Sequence, residues 1–405
     1  MKKKAVLALF AILTLVLPGL VLAMDFGLIF DQTLGFGGIA GYSSSVDYSG
    51  AMLPRFSILF NDDKDLYISA ALAAKYSNEW SFVPELLRTE LHWFLDWGDV
   101  RIGRMHYSDP LGFVAGGLFD GVRVTYDTTM GSFSAGAWYT GFLYKKRANI
   151  AMTSGELSSL NAKLDFGSFV DTYFAPRRLA FAVDWEHPSL VDGFLRAKAS
   201  FLGQFDLAGE DLHSQYLISK LTIPFLAFSF DLGGSLGFLQ KSGDAGLAFA
   251  LELGATWTLP TAFQSRLSFL WRYASGVSAD GNIGSFLPIT STSQSPILQP
   301  YVPGTSMIML DYSIRFNRTM AASVSSFYFI RNDLYTYHGY PVTIISRDNS
   351  GHFLGKEFFG RFFWSLVSDI HLNFGGGLFV PAMGNVVPKQ ANLWRIELGL
   401  AVSLY

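Results

Sequence analysis

The sequence predicts an all-β chain: a transmembrane, antiparallel, up-and-down β-barrel of about eighteen strands, with sixteen as the alternative count. Three observations lead there. Half of the residues are hydrophobic and 16% are aromatic, yet after residue 23 no apolar run is long enough to span a bilayer as a helix. The apolar residues instead recur at every second position over stretches of about 8–12 residues, the length a tilted strand needs to cross. These stretches are even in number, and short and long connections alternate between them, with short turns on one side and longer loops on the other.

Met1–Ala23 reads as a secretory signal. Lys2, Lys3 and Lys4 form its positive start, Ala5–Leu22 is apolar apart from Pro18 and Gly19, and Val21-Leu22-Ala23 suits cleavage. An uncleaved membrane helix is the competing reading, because the run is almost long enough to span. Residues 24–405 then form a single barrel domain of roughly 380 residues. The chain has no Cys, which excludes a lipid-anchored N-terminus, disulfides and thiolate metal sites. A net charge of −3 matters less than where the charges lie, and nothing points to nucleic acid.

The first predicted strand, 25–36, leads outward, and 51–60 returns with Arg55 on its polar phase. Next come 65–76, with Lys75, and 86–97, with Arg88, Glu90 and His92. Strands 99–106 and 118–127 carry Arg101 and Arg123. Strand 132–144 precedes a long connection, after which 178–186 holds Arg178 and Asp184. Strand 194–205 carries Arg196 and Lys198, 214–223 carries Lys220, and 227–239 is small and apolar. Glu252 lies in 246–257, Arg266 and Arg272 in 265–274, and Asp311 and Arg315 in 305–316. Strand 320–331 is followed by 354–366 with Glu357 and Arg361, by 369–380, and by 393–405 with Arg395 and Glu397. The inner turns are tight, from Asn61–Asp65 to Val367-Ser368. The outer connections include 37–50, 77–85, 107–117, 145–177, 275–304, 332–353 and 381–392; 206–213 and 240–245 are short.

Amphipathic rings favour the membrane–water boundary. Trp97, Tyr126, Trp185, Trp257 and Trp364 fall at inner strand ends, in phase with the apolar face. Trp271, Tyr273 and Tyr76 fall at outer ends. Aromatics are common in any strand, but clustering at ends on one face fits two belts better.

With the apolar face toward lipid, the other phase points inward. A charge facing lipid at mid-depth costs about 2–4 kcal/mol. On the inward phase, cations outnumber carboxylates by roughly two to one. Arginine stays charged, binds carboxylate through a planar fork and is weakly hydrated. A ladder of such groups lowers the barrier for anions and holds each one weakly, as conduction requires. The competing reading is that pairs such as Arg361 with Glu357 only cross-link strands. Arg104 falls out of phase, which a bulge or snorkelling accommodates. Eighteen strands leave a lumen for water or inserted loops. Loop 275–304 carries Leu287, Ile289, Ile297, Leu298 and Val302, and so either packs inward or is a Ser-rich surface loop.

The last strand alternates Trp394, Ile396, Leu398, Leu400, Val402 and Leu404 with small or polar residues. Its end, Glu397 to Tyr405, resembles the C-terminal signal by which bacterial outer-membrane barrels engage the barrel assembly machinery, with Tyr405 one step out of phase. The bacterial outer membrane is the implied location. Two further stretches resemble the alginate-export porin family: Val100-Arg101-Ile102-Gly103-Arg104 with Gly117-Leu118-Phe119-Asp120-Gly121-Val122-Arg123, and Gly355-Lys356-Glu357 with Gly375 to Pro381. The resemblance departs at Met105-His106 and implies an arginine-lined channel for anionic solutes or an acidic polysaccharide such as alginate.

Catalytic signals are weak. Gly233-Gly234-Ser235-Leu236-Gly237 matches a nucleophile elbow but lies inside a continuous strand rather than at a strand-to-helix turn. The histidines show no metal-ligand spacing, and Asp62-Asp63-Lys64-Asp65 has too few ligands for calcium. No cofactor motif occurs. The expected function is a passive channel without catalysis. The alternatives are a hydrophobic-ligand transporter of the fatty-acid type, a structural or adhesive barrel with a blocked lumen, and a barrel enzyme built from an outward-accessible Ser–His pair.

Overall fold

The computed structural model describes residues 23–61, 63–209, 211–241, 243–278, 284–333, 351–382 and 391–404. The expected signal Met1–Ala23 lies outside them except for Ala23. Among the described residues the chain forms eighteen strands: β1 (Ala23–Ile39), β2 (Ser43–Asn61), β3 (Lys64–Ser77), β4 (Glu79–Leu95), β5 (Gly98–Ser108), β6 (Gly116–Thr128), β7 (Gly131–Tyr139), β8 (Arg178–Leu190) and β9 (Leu195–Asp206). There follow β10 (Leu212–Phe225), β11 (Phe228–Lys241), β12 (Asp244–Leu259), β13 (Gln264–Ala274), β14 (Thr305–Arg315), β15 (Met320–Arg331), β16 (Phe353–Val367), β17 (Ile370–Pro381) and β18 (Leu393–Leu404). Each pairs antiparallel with the next, and β1 pairs with β18 from Leu28↔Leu404 to Ile39↔Leu393, which closes the barrel. Closure removes the free edges that an open sheet would present.

Every predicted strand has its counterpart, although predicted strand 132–144 ends at Tyr139. Most of the predicted connections 332–353 and 381–392 lies outside the described residues. Two outer connections differ. The predicted loop 37–50 is mostly strand: β1 and β2 run on to a tight hairpin at Ala40, Gly41 and Tyr42. Its Gly- and Ser-rich composition reads as loop, yet the close pairing needs small residues. A Cβ on Gly38 would lie 2.1 Å from the Ser43 carbonyl oxygen. The predicted loop 77–85 is likewise strand, with Asn78 alone at the turn in the left-handed region (φ 67°). Pro84 argues against a central strand. It is tolerated because β4 pairs with β5 only over Thr89–Leu95, leaving Pro84 an edge residue on that side.

The outward phase carries the exposed apolar residues, such as Leu232, Leu236, Val324 and Leu398. The buried apolar residues lie on the inner phase, where the outer loops fold into the lumen. Leu111, Phe113 and Val114 from loop 109–115 and Phe286, Ile289 and Val302 from loop 275–304 form one cluster with Tyr107, Trp138, Tyr216 and Ile218 of the wall. Leu298 and its neighbours pack on Met307, Phe327, Phe329, Leu354 and Phe379. Loop 140–177 contains α1 (Lys145–Ala148), α2 (Ser154–Asn161) and α3 (Phe169–Tyr173). Thr153 and Glu156 cap α2 reciprocally, and Glu156 also receives the fully buried Arg178.

Arg104 keeps the outward phase of Ile102 but is buried. It makes a bidentate pair with Asp120 at 2.7 and 2.8 Å and donates to the carbonyls of Leu86 and Phe142. Neither a bulge nor snorkelling is needed, because the charge is neutralised on the spot. Arg104→Met leaves Asp120 without its partner and should cost about 3 kcal/mol. The check is a lower urea midpoint for loss of the folded barrel in detergent, with most of the loss recovered in the double variant carrying Asp120→Leu.

Candidate functional site

The inward phase of the wall places Arg55, Arg88, Arg101, Arg123, Arg196, Lys198, Arg266, Arg272, Arg315, Arg361 and Arg395 inside the barrel, but in different surroundings. Arg101 donates to Asp99 at 3.0 Å and Arg123 to Asp184 at 3.3 Å. Lys198 pairs with Glu186 at 2.9 Å and Lys220 with Glu252 at 3.2 Å. Arg88 bonds Glu90 and lies over the Tyr67 ring. Arg395 bonds Glu397 and reaches Asp47 at 3.1 Å. Arg55 lines a cavity of about 450 Å³ with Asp25, Ser57 and Tyr67. Arg196, Arg266, Arg315 and Arg361 are exposed and have no hydrogen-bonded carboxylate among the described residues, although Arg361 lies over the Phe359 ring at 5.2 Å and feels the charge of Glu357. They stand toward the inner ends of β9, β13, β14 and β16.

Three assignments from the sequence change. Glu357 is fully buried and lines no pathway. Its carboxylate accepts Ser295 Oγ at 2.8 Å and the Ile297 and Leu298 amides at 3.0 and 2.9 Å, and so fastens loop 275–304 to the wall. The loop packs inward, and Glu357 is not bonded to Arg361. Glu90 is also buried, beneath Arg88. Arg272 sits behind loop 109–115, sandwiched between Glu252 at 2.7 Å and the Phe113 ring at 4.2 Å. The twofold excess of cations shrinks as well. Asp47, Glu85, Asp99 and Glu186 face inward and neutralise Arg395, Arg147, Arg101 and Lys198. Phase arithmetic missed them because they lie near strand ends or beyond a register shift.

A cavity of about 490 Å³ lies between β5–β9 and the tip of loop 109–115. Arg101, Arg123, Lys198, Asp99, Asp184 and several hydroxyls line it. The loop is held by Asp109, whose carboxylate accepts the amides of Leu111, Gly112, Val114 and Ala115 at 2.8–3.0 Å. Burial pushes the Asp109 carboxyl above its ordinary value, and these four hydrogen bonds oppose that. Loops 109–115 and 275–304 are tied together: the Ile289 amide donates to Val114 O at 2.7 Å and the Gly116 amide to Thr290 Oγ1 at 2.8 Å. The elbow-like Gly233 lies inside β11 beneath Leu111. A Cβ there would meet Leu111 Cδ2 at 2.3 Å, so packing accounts for this glycine.

Trp97 and Tyr126 lie side by side on the outward phase, ring centres 5.9 Å apart. Trp257 stacks on Phe228 at 5.5 Å, Trp185 donates to Met130 O, and Trp364 faces Met320. Trp271 and Tyr273 are neighbours near the outer end of β13, 6.4 Å apart. Among the described residues no three His, Asp or Glu side chains are placed to hold a metal ion.

No protein-family model and no curated protein matches the chain. Solved structures match along nearly its whole length. Pseudomonas aeruginosa OccK2 (OpdF), in complex with glucuronate, superposes with a TM-score of 0.62 at 11% identity, covering 96% of this chain and all of that one. Pseudomonas aeruginosa OccK5 (OpdH) gives 0.59 at 9%, with 94% and 99% covered. Acinetobacter baumannii OccAB1 gives 0.57 at 11%, with 96% and 99% covered. The chain shares their fold. The resemblance of Val100–Arg123 and Gly355–Pro381 to the alginate-export family gains no support from these matches.

Glu357→Ala should free the 295–298 segment, weakening its attachment by about 3 kcal/mol. The expected outcome is faster protease cleavage within 284–302 from the outer side and a larger single-channel conductance, with the barrel itself intact.

Proposed function

We propose that the barrel is a passive channel of a bacterial outer membrane that admits small anionic solutes and carries out no catalytic step. One observation carries this reading: Arg196, Arg266, Arg315 and Arg361 stand exposed in the inner half of the lumen, and none is hydrogen-bonded to a carboxylate among the described residues. Unpaired guanidinium groups set a positive potential in a water-filled, low-dielectric wall, and this concentrates anions. Their spread over four strands offers successive weak sites rather than one tight one. The fold shared with the OccK and Opd porins supports this, and glucuronate, bound by OccK2, has the kind of charge such a lumen favours. In the same reading, Met1–Ala23 is cleaved on export. The final strand engages the assembly machinery through Trp394 to Tyr405. Trp97, Tyr126, Trp185, Trp257 and Trp364 mark the inner boundary of the bilayer, and Trp271 and Tyr273 the outer one.

The test is the reversal potential in a salt gradient across a planar bilayer. The wild-type channel should prefer chloride over potassium. Replacing Arg196, Arg266, Arg315 and Arg361 together by Gln should remove most of that preference while leaving the channel open. A cation-selective wild type rejects the reading.

A further inference from the structure

The outer mouth holds a second set of cations, brought together by a loop and a strand far apart in sequence. In α1, Lys145 turns inward, its Nζ donating to Ser159 O at 2.6 Å, and Ala148 is buried. Lys146 and Arg147 are left on the exposed side. Arg147 donates to both carboxylate oxygens of Glu85 on β4, at 2.7 and 3.2 Å. Lys75 is on the inward phase of β3, opposite Ser49 and two residues from the strand's outer end. Tyr144, at the start of α1, clusters with Ala73 of β3, two residues from Lys75 on the same phase, so α1 lies beside Lys75. Lys75 is close enough to Lys146, Arg147 and Glu85 to feel all three charges.

Neither the Lys75 nor the Lys146 ammonium has a hydrogen bond or an ion pair among the described residues, although Lys75 feels the charge of Glu85. Around Lys75 there are thus three cations, itself included, and one carboxylate, Glu85, whose two oxygens are already engaged by Arg147. Like charges held this close cost free energy unless an anion neutralises them. Burial, and then Lys146, lower the pKa of the neighbouring Lys145 ammonium. Loop 140–177 is fastened by the buried Arg178–Glu156 pair and by Tyr173 Oη to Pro84 O at 2.8 Å, so the backbone that carries Lys146 and Arg147 is held at the mouth.

We propose that Lys75, Lys146 and Arg147 form a capture site at the outer mouth for a small dianion, a solute with two negative charges on one group or on adjacent groups. This rests on reading the barrel as an anion channel. The local excess is two positive charges, so a monoanion neutralises half of it and a dianion all of it. The two ammonium groups act as compact point charges, and the edge of Arg147 turned away from Glu85 supplies directed donors. The inner arginines differ in kind: they stand singly on four strands, where one charge at a time is relayed. The mouth site thus ranks solutes by charge before the inner lumen conducts them.

Single-channel recording tests this, with phosphate or malonate added from the outer side at constant chloride. Both should interrupt the current at concentrations where acetate and glucose do not. A stronger effect of phosphate assigns a phosphoryl group, and a stronger effect of malonate a dicarboxylate. Lys146→Gln, at an exposed position, should raise the half-blocking concentration about tenfold, and Lys75→Gln should do the same in a barrel whose fold is checked by heat-shifted mobility. Equal interruption by acetate, or an unchanged half-blocking concentration in Lys146→Gln, overturns the site. Reversal potentials from the same recordings separate the two ideas. Anion preference without interruption by dianions removes the capture site alone; cation preference removes the channel reading beneath it.

Discussion

A peptide group facing hydrocarbon has no water to bond, so each must be satisfied within the wall. Eighteen antiparallel pairings, closed by β1 against β18, meet that demand. Much else follows from it. Once the strands are committed to a closed sheet, side chains alternate between lipid and lumen, and an unpaired charge at mid-depth is costly on the outward phase. Arg104, an outward exception, is stable because Asp120 neutralises it and two carbonyls complete its hydrogen bonds.

A closed wall of this width has no interior of its own, and here the apolar core is supplied by the outer loops. Ala180, Ala182, Ala248, Ala250 and Ala274 are small inward residues on β8, β12 and β13, and they leave room for Leu111, Phe113, Phe286 and Ile289. The cluster is thus built between wall and loops rather than between two layers. Its polar fastenings are carboxylates that accept backbone amides: Asp109 within its own loop, Glu357 across to another, and Glu156 from Met152 and Thr153 at a helix cap. Each fixes loop backbone that water would otherwise solvate. The lumen is narrowed by ordered loops, while the inner half keeps its hydroxyl and guanidinium lining.

The wall was largely legible in the sequence because period-two alternation is a local signal and the bilayer enforces it. It failed where another local signal masked it. Gly37 to Gly50 is rich in Gly and Ser, and Pro84 interrupts the start of β4, so both stretches read as loop although they are paired strand. The inward phase of the arginines was legible for the same reason as the strands. Their partners were not. Glu357 lies 59 residues from Leu298 in sequence, and Arg147 lies 62 from Glu85. No periodicity links such positions; only the folding of loops into the lumen does. Lys146 carries no strand signal at all, and only the folding of α1 brings it to the mouth.

The β4–β5 junction shows that wall and loops are one structure. These strands pair only over Thr89–Leu95 and Gly98–Arg104. Beyond that, β4 continues as Glu79–Arg88 with β3 as its one strand neighbour, at a depth where an unpaired backbone is costly. Side chains take the missing strand's place. Tyr173 bonds the Pro84 carbonyl and Arg104 the Leu86 carbonyl, while Pro84 itself has no amide to satisfy. Tyr144 and Tyr173 pack against Val83 and Ala73 behind them. Loop 140–177 therefore seals the wall with one set of residues and sets the charge of the mouth with Lys146 and Arg147. The loop cannot swing clear of the lumen without opening that seam, so the mouth keeps its charge pattern for as long as the wall keeps its integrity.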